Sequence, residues 1–241
     1  MSWLRSYLVT IPLIALATIG YGMVSWVIAF FDKRGSRQIA VAQAWSRYLL
    51  WVSGVKVTVE GIEKISPTGS YVFVANHLSY MDTPVILANM PEFRFLAKKG
   101  LFQIPFLGTH LKTAGHIPVP RGDARAAVKT MNLAAQIIRE RKISILIFPE
   151  GGRSHDGELA AFQEGAALIA IRAGVPLVPM ALKGTREILP FGSGHLRSGR
   201  VTLRIGDPIP TGELPMSARG AITEQLHESI ARMLDKQAIH A

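Results

Sequence analysis

The sequence predicts an α/β protein: a mixed sheet covered by helices on both faces, preceded by an N-terminal hydrophobic helical membrane-binding segment. Three observations predict it. No charged residue occurs from Tyr7 to Phe31. Two continuous apolar runs, "YVFVAN" at 71–76 and "ISILIF" at 143–148, read as strands buried on both faces. From residue 55 onward, strand patterns alternate with helical ones, as in a sheet layered by helices.

The chain has 241 residues, enough for one full core and an appended element. Its net charge is +10, although 49% of it is apolar. That combination points to anionic partners such as lipid headgroups or phosphorylated substrates. Nucleic acid is the weakest of these, because the basic residues are dispersed and no recognised binding motif interleaves them. With no cysteine there is no disulfide, no thiolate metal site and no cysteine nucleophile.

The first element is the run from Tyr7 to Phe31. As a helix rising about 1.5 Å per residue it would reach roughly 37 Å, enough to cross a ~30 Å hydrocarbon layer with tilt. A signal peptide is the competing reading, but the run is long for one and no A-x-A-like site follows. Pro12, Gly20 and Gly22 interrupt it, so a bent or re-entrant helix is the alternative to a straight span. Lys33, Arg34 and Arg37 follow the run, against Arg5 alone before it, which places the remaining chain on the cytoplasmic side of an inner membrane.

A second helix follows. Val41, Ala44, Trp45, Tyr48, Leu49 and Val52 share one helical face, and Gly54 is a natural stop. Arg47 and the aromatic residues suit a membrane interface, while packing on the globular domain suits the pattern equally well. The texture changes at residue 55, dividing the chain into membrane-associated helices at 1–54 and an α/β domain at 55–241.

In that domain "VKVTVEG" alternates as a half-buried strand. "FRFLA" (93–97), "PLVPMAL" (176–182) and "RVTLRIG" (200–206) are further strands. A helix should run from Asp123 as N-cap through Ile138 to the basic "RERK", whose charge suits the C-terminal dipole. Others cover about 162–173 and 217–235. No internal repeat or low-complexity linker is visible.

Three segments at strand ends could carry chemistry, and strand ends are where α/β sheets build sites. In "NHLSYMD", His77 can act as a base near neutral pH, and Asp82 could fix its tautomer. The competing reading makes Asp82 only the N-cap of a helix, with Pro84 in its first turn. In "FPEGGRS" (148–154), Gly151 and Gly152 let amides approach an anion, and Arg153 offers a fork of donors matched to phosphate. Glu150 could accept from a hydroxyl or hold Arg153. A glycine turn with a surface ion pair is the plain alternative. In "GHIPVPRGD" (115–123), Arg121 precedes a helix N-terminus and offers a second phosphate contact, with Lys98 and Lys99 nearby.

Taken together, these blocks resemble the membrane glycerolipid acyltransferase family, whose best-known members are the 1-acyl-glycerol-3-phosphate acyltransferases. Asn76, His77 and Asp82 match its N-H-x-x-x-x-D block; "KKGLFQIPFLG" with "GHIPVPR" resembles its second; "FPEGGRS" and "VPLVP" (175–179) match two more. The four occur in the family's order, over roughly residues 55–210.

The resemblance implies that residues 55–241 are an acyltransferase catalytic domain. His77 would deprotonate the free glycerol hydroxyl of 1-acyl-glycerol 3-phosphate, and Asp82 would orient His77. Arg121, Glu150, Gly151, Arg153 and Lys99 would bind the acceptor, and the Val-Pro block would shape a pocket. It also implies acyl-CoA or acyl carrier protein as donor, phosphatidic acid as product, membrane lipids as surroundings, and no cofactor or metal.

This sequence departs from the family pattern at Gly100, Gly152 and Glu164. Glu164 would repel phosphate if it faced the site. The alternatives are another acceptor (glycerol 3-phosphate, a lysophospholipid or a lyso-amino-lipid) or a non-catalytic lipid-binding protein.

Overall fold

The structure, a computed structural model, describes residues 3–120 and 122–235. Arg121 of the expected phosphate site therefore lies outside the described residues.

The apolar N-terminal run forms one continuous helix, Trp3–Ala29, long and apolar enough to cross a membrane and almost wholly exposed. A first turn, α1 (Trp3–Arg5), passes through a π-helical stretch (Ser6–Thr10) into α2 (Ile11–Ala29). The irregularity falls just ahead of Pro12, which has no N–H to give the preceding turn. Gly20 and Gly22 lie within α2 without breaking it.

Gly35, in the left-handed region at φ +77°, starts α3 (Ser36–Val52), which folds back on α2. Asp32 stabilises this corner by accepting the amides of Gly35 and Gln38 at 3.0 Å each. The inner face of α3 packs on the domain through Leu49 and Leu50, while Arg47 and Trp51 stay exposed.

The strands are β1 (Val55–Glu60), β2 (Val72–Ala75), β3 (Phe93–Lys98), β4 (Ile117–Val119), β5 (Ser144–Ile147), β6 (Leu177–Lys183) and β7 (Gly199–Ile205). They form one seven-stranded mixed sheet in the order β1-β7-β6-β2-β5-β3-β4. From β6 to β4 every neighbour is parallel; β7 runs antiparallel to β6 and parallel to β1. The carboxyl ends of β2, β3, β4, β5 and β6 thus share one edge.

Alternation along the strands builds two cores. Phe73, Ala75, Leu146, Val178 and Met180 face α3 and α4 (Asp82–Asn89). Val72, Val74, Ile145, Ile147 and Leu177 face α6 (Ala124–Arg141), α7 (Gly165–Ala173) and α9 (Arg219–Asp235). The short helices α5 (Leu107–Thr113) and α8 (Thr185–Ile188) complete the connections. Asp123 caps α6 as expected, its Oδ1 accepting the Ala126 amide at 3.0 Å. Helix α7 starts at Gly165 rather than near 162, because the Gln163 amide is committed to the Pro149 carbonyl.

Candidate active site

Strand β2 ends by an unusual substitution of side chain for backbone. The Asn76 side chain donates to the Leu182 carbonyl at 3.0 Å and accepts the Leu182 amide at 2.8 Å. A fully buried amide thereby continues the β2–β6 ladder for one residue while the main chain turns away. The next residue, His77, stands free of the sheet at its carboxyl edge.

His77 Nδ1 lies 2.7 Å from Asp82 Oδ2, and Asp82 is completely buried. The same oxygen accepts the amides of Leu78 at 2.7 Å and Ser79 at 2.8 Å. An oxygen with three donors around it is an acceptor only, so the His77 ring must carry its proton on Nδ1. In the neutral ring Nε2 then carries the free lone pair. The ring is stacked on Phe148, with centroids 4.1 Å apart and planes within 15°. Asp82 is not the N-cap: Met81 takes that place with helical φ and ψ, and the carboxylate of the first helical residue reaches backward into the turn instead.

The segment after β5 grips His77 from the other side. Glu150 Oε1 accepts the His77 amide at 2.7 Å, and Oε2 accepts the Ala160 amide at 3.1 Å. The Ser154 amide donates to the His77 carbonyl at 2.8 Å. Burial pushes the Glu150 carboxyl above its ordinary pKa, against the lowering effect of the two amides. Among the described residues no ion pair joins Glu150 to Arg153: Glu150 does not hold Arg153, as was one expectation, but holds the His77 backbone.

Arg153 is held by rings instead. Its guanidinium carbon sits 3.6 Å from the Tyr80 ring centroid and 4.5 Å from that of Phe191. A guanidinium packed on aromatic rings keeps N–H donors that can still reach an anion. Gly151 is left-handed at φ +74°, whereas an added Cβ on Gly152 would meet open space. Lys99 begins the exposed turn after β3, on the same sheet edge. Glu164 pairs with Arg219 at the start of α9, 2.5 Å away, which compensates its charge.

Tyr80, Phe148 and Phe191 were not singled out in the sequence. Phe148 lay inside the "FPEGGRS" block, and Tyr80 inside "NHLSYMD", but stacking partners carry no spacing signal. Among the described residues no group of three His, Asp or Glu side chains is placed to hold a metal ion.

Residues 56–183 match the family model described as Acyltransferase. The chain is 32% identical to the chloroplastic 1-acyl-sn-glycerol-3-phosphate acyltransferase LPAT1 of Arabidopsis thaliana, over 89% of this chain and 60% of the relative. It is 32% identical to a 1-acyl-sn-glycerol-3-phosphate acyltransferase of Chlamydomonas reinhardtii, over 92% of this chain and 67% of the relative. The chain thus spans about three fifths to two thirds of the length of these relatives. The crystal structure of the 1-acyl-sn-glycerophosphate acyltransferase PlsC from Thermotoga maritima superposes with a TM-score of 0.79 at 25% identity, covering 98% of each chain.

Proposed function

This chain belongs to the acyltransferase family, and from that membership we propose that it transfers a fatty acyl group to the free hydroxyl of 1-acyl-glycerol 3-phosphate, giving phosphatidic acid. The donor is an acyl thioester of CoA or acyl carrier protein. The observation that carries the reading is the His77–Asp82 pair, whose hydrogen bonding leaves Nε2 as a base at the sheet edge that also bears Arg153.

In the proposed reaction His77 Nε2 takes the hydroxyl proton as the acceptor oxygen attacks the thioester carbonyl. Asp82 stabilises the imidazolium that forms. Collapse of the tetrahedral intermediate breaks the C–S bond, and the imidazolium returns its proton to the departing thiolate. Arg153 presents its N–H edge to the acceptor phosphate. Arg121, Lys99 and the Gly151 turn complete that anion site. Helix Trp3–Ala29 and α3 form the membrane-associated part at 1–54, ahead of the catalytic domain at 55–241. Lys33, Arg34 and Arg37 keep that domain on the cytoplasmic side.

The test is acyl transfer by the purified full-length chain to a panel of acceptors, with Asp82→Asn alongside. The expected result is faster transfer to 1-acyl-glycerol 3-phosphate than to glycerol 3-phosphate or a neutral lysophospholipid. Asn keeps an oxygen for the Leu78 and Ser79 amides but cannot stabilise an imidazolium. Turnover should therefore fall at least about 10²-fold, while the folded state loses only about 1 kcal/mol. Preference for another acceptor would overturn the substrate assignment. Near-normal turnover of Asp82→Asn would overturn the mechanism.

A further inference from the structure

Where the chain enters α5 it exposes four consecutive apolar residues, Ile104, Pro105, Phe106 and Leu107, the last being the first residue of the helix. Phe106 is the extreme case, 75% exposed and at φ +62°. A bulky side chain in that region is strained, and such strain persists only where the surroundings impose it. Here they do. The amides of Leu107 and Gly108 bond back to Pro105 and Ile104 at 2.7 Å each. A Cβ on Gly108 would collide with the Phe102 carbonyl, so the turn is wedged from beneath. The fold therefore spends strain to hold a large apolar ring in the open. Core packing gains nothing from that ring.

The segment that carries this turn has one sign of charge. From Phe93 to Gly122 there is no acidic residue, and Lys98, Lys99 and Lys112 are exposed on either side of the turn. The turn is also continuous with the apolar helix. His110, one turn along α5 from Phe106, shares a hydrogen bond at 2.8 Å with Ser25 of α2. Around Ser25, α2 exposes Trp26 and Val27, Phe30 is exposed just beyond its end, and the basic residues Lys33, Arg34 and Arg37 follow.

We propose that Ile104–Leu107 is a second lipid-contacting element, seated at the headgroup level of an anionic bilayer beside α2, with Phe106 as its wedge. An apolar tip flanked in sequence by exposed lysines and hydrogen-bonded through α5 to a membrane-length helix fits an interface in which the ring enters the acyl boundary and the ammonium groups meet lipid phosphates. Because Lys98 and Lys99 leave the carboxyl end of β3, this seating sets the edge that carries His77 at the membrane surface. The proposal does not need the acyl-transfer reading, since its readout is optical.

The chain has no cysteine, so a single one can be labelled cleanly. Full-length Phe106→Cys, carrying an environment-sensitive nitrobenzoxadiazole probe, would be reconstituted into vesicles of phosphatidylcholine and phosphatidylglycerol. Ile104→Cys serves as a second position in case the first disturbs the turn. Gln225→Cys, on the exposed side of α9, serves as reference. Lipids bearing a doxyl quencher near the headgroup should quench the probes at 104 and 106 at least about twofold more than the one at 225, as expected for burial of about 5–10 Å. Replacing phosphatidylglycerol by phosphatidylcholine should weaken that quenching. Equal quenching at all three positions overturns the proposal. Shielding from aqueous iodide without quenching by lipid also overturns it, because the turn is then covered by a second copy of the chain.

Discussion

The carboxylate of Glu150 accepts the main-chain amide of His77 at 2.7 Å, joining the loop after β5 to the loop after β2. The proposed base is thus fixed twice: its ring by Asp82 and its backbone by Glu150. The two contacts serve different ends, and substitution separates them.

Glu150→Gln leaves one oxygen to accept and turns an NH2 group toward the other amide. One of the His77 and Ala160 amides is then unsatisfied, at a cost of about 1–3 kcal/mol. Turnover should fall about 10-fold or more while KM for the acceptor changes little, because the ring of His77 shifts and the phosphate site does not. Steady-state kinetics with the acceptor varied checks this. A raised KM with unchanged turnover would assign Glu150 to the acceptor itself.

The rings of Tyr80 and Phe191 pack against the Arg153 guanidinium, the proposed phosphate ligand. A cation–π contact contributes about 0.5–2 kcal/mol. Tyr80→Ala should raise KM for a phosphate-bearing acceptor about 3- to 30-fold by that measure, leave KM for the acyl donor unchanged, and be rescued by Tyr80→Phe. If Tyr80→Phe is as damaging as Tyr80→Ala, the hydroxyl and not the ring face is what matters.

His116 sets an acid limit on stability. It accepts the Phe95 amide at 2.8 Å in the interior, and burial, with repulsion from His110 and Arg94, pushes its pKa down to about 3. Burial lowers the pKa of His110 as well. The unfolded chain takes up the His116 proton near pH 6.5 and the folded chain does not. Stability is therefore complete above that pH and lost as pH falls from about 6.5 toward 3, by roughly 1.4 kcal/mol per unit. Unfolding in detergent should show about 2 kcal/mol lost between pH 7 and pH 5 from this group. His116→Asn, which keeps an acceptor for Phe95, should start lower at pH 7 and lose less on acidification. Parallel pH profiles for the two proteins would place the acid sensitivity elsewhere.

Legibility followed burial. Strands β2 and β5 were readable because both faces are covered, which writes an unbroken apolar run. Strand β4 was not, because three residues with Pro118 at their centre carry no period. Helix α5 was missed for a related reason: its chain direction is set by Phe106 at positive φ, a conformation that no residue pattern announces. In the candidate site, the spacing of His77 and Asp82 allowed a pairing but left it weak beside the cap reading; the two side chains do pair, and the cap reading failed by one residue. Met81 already has helical dihedrals, so the carboxylate starts inside the helix and turns back. Phe191 was invisible because its contact with Arg153 depends on where β6 and α8 deliver the following loop.

The pairing of β1 with β7 bears on how the molecule is made. Among the described residues β1 pairs with no other strand, so the chain from Val55 to Glu60 waits for Gly199–Ile205 before it has a strand partner. Ser6 waits as long, since its hydroxyl accepts the Leu196 amide. At about 5–20 residues per second, synthesis of the intervening chain takes on the order of ten seconds. Throughout that interval the N-terminal helix has only α3 and α5 to pack on, and the contact of its first turn with Leu196 is unmade. Were a bilayer to hold that exposed apolar helix meanwhile, the sheet would close against a helix already in place.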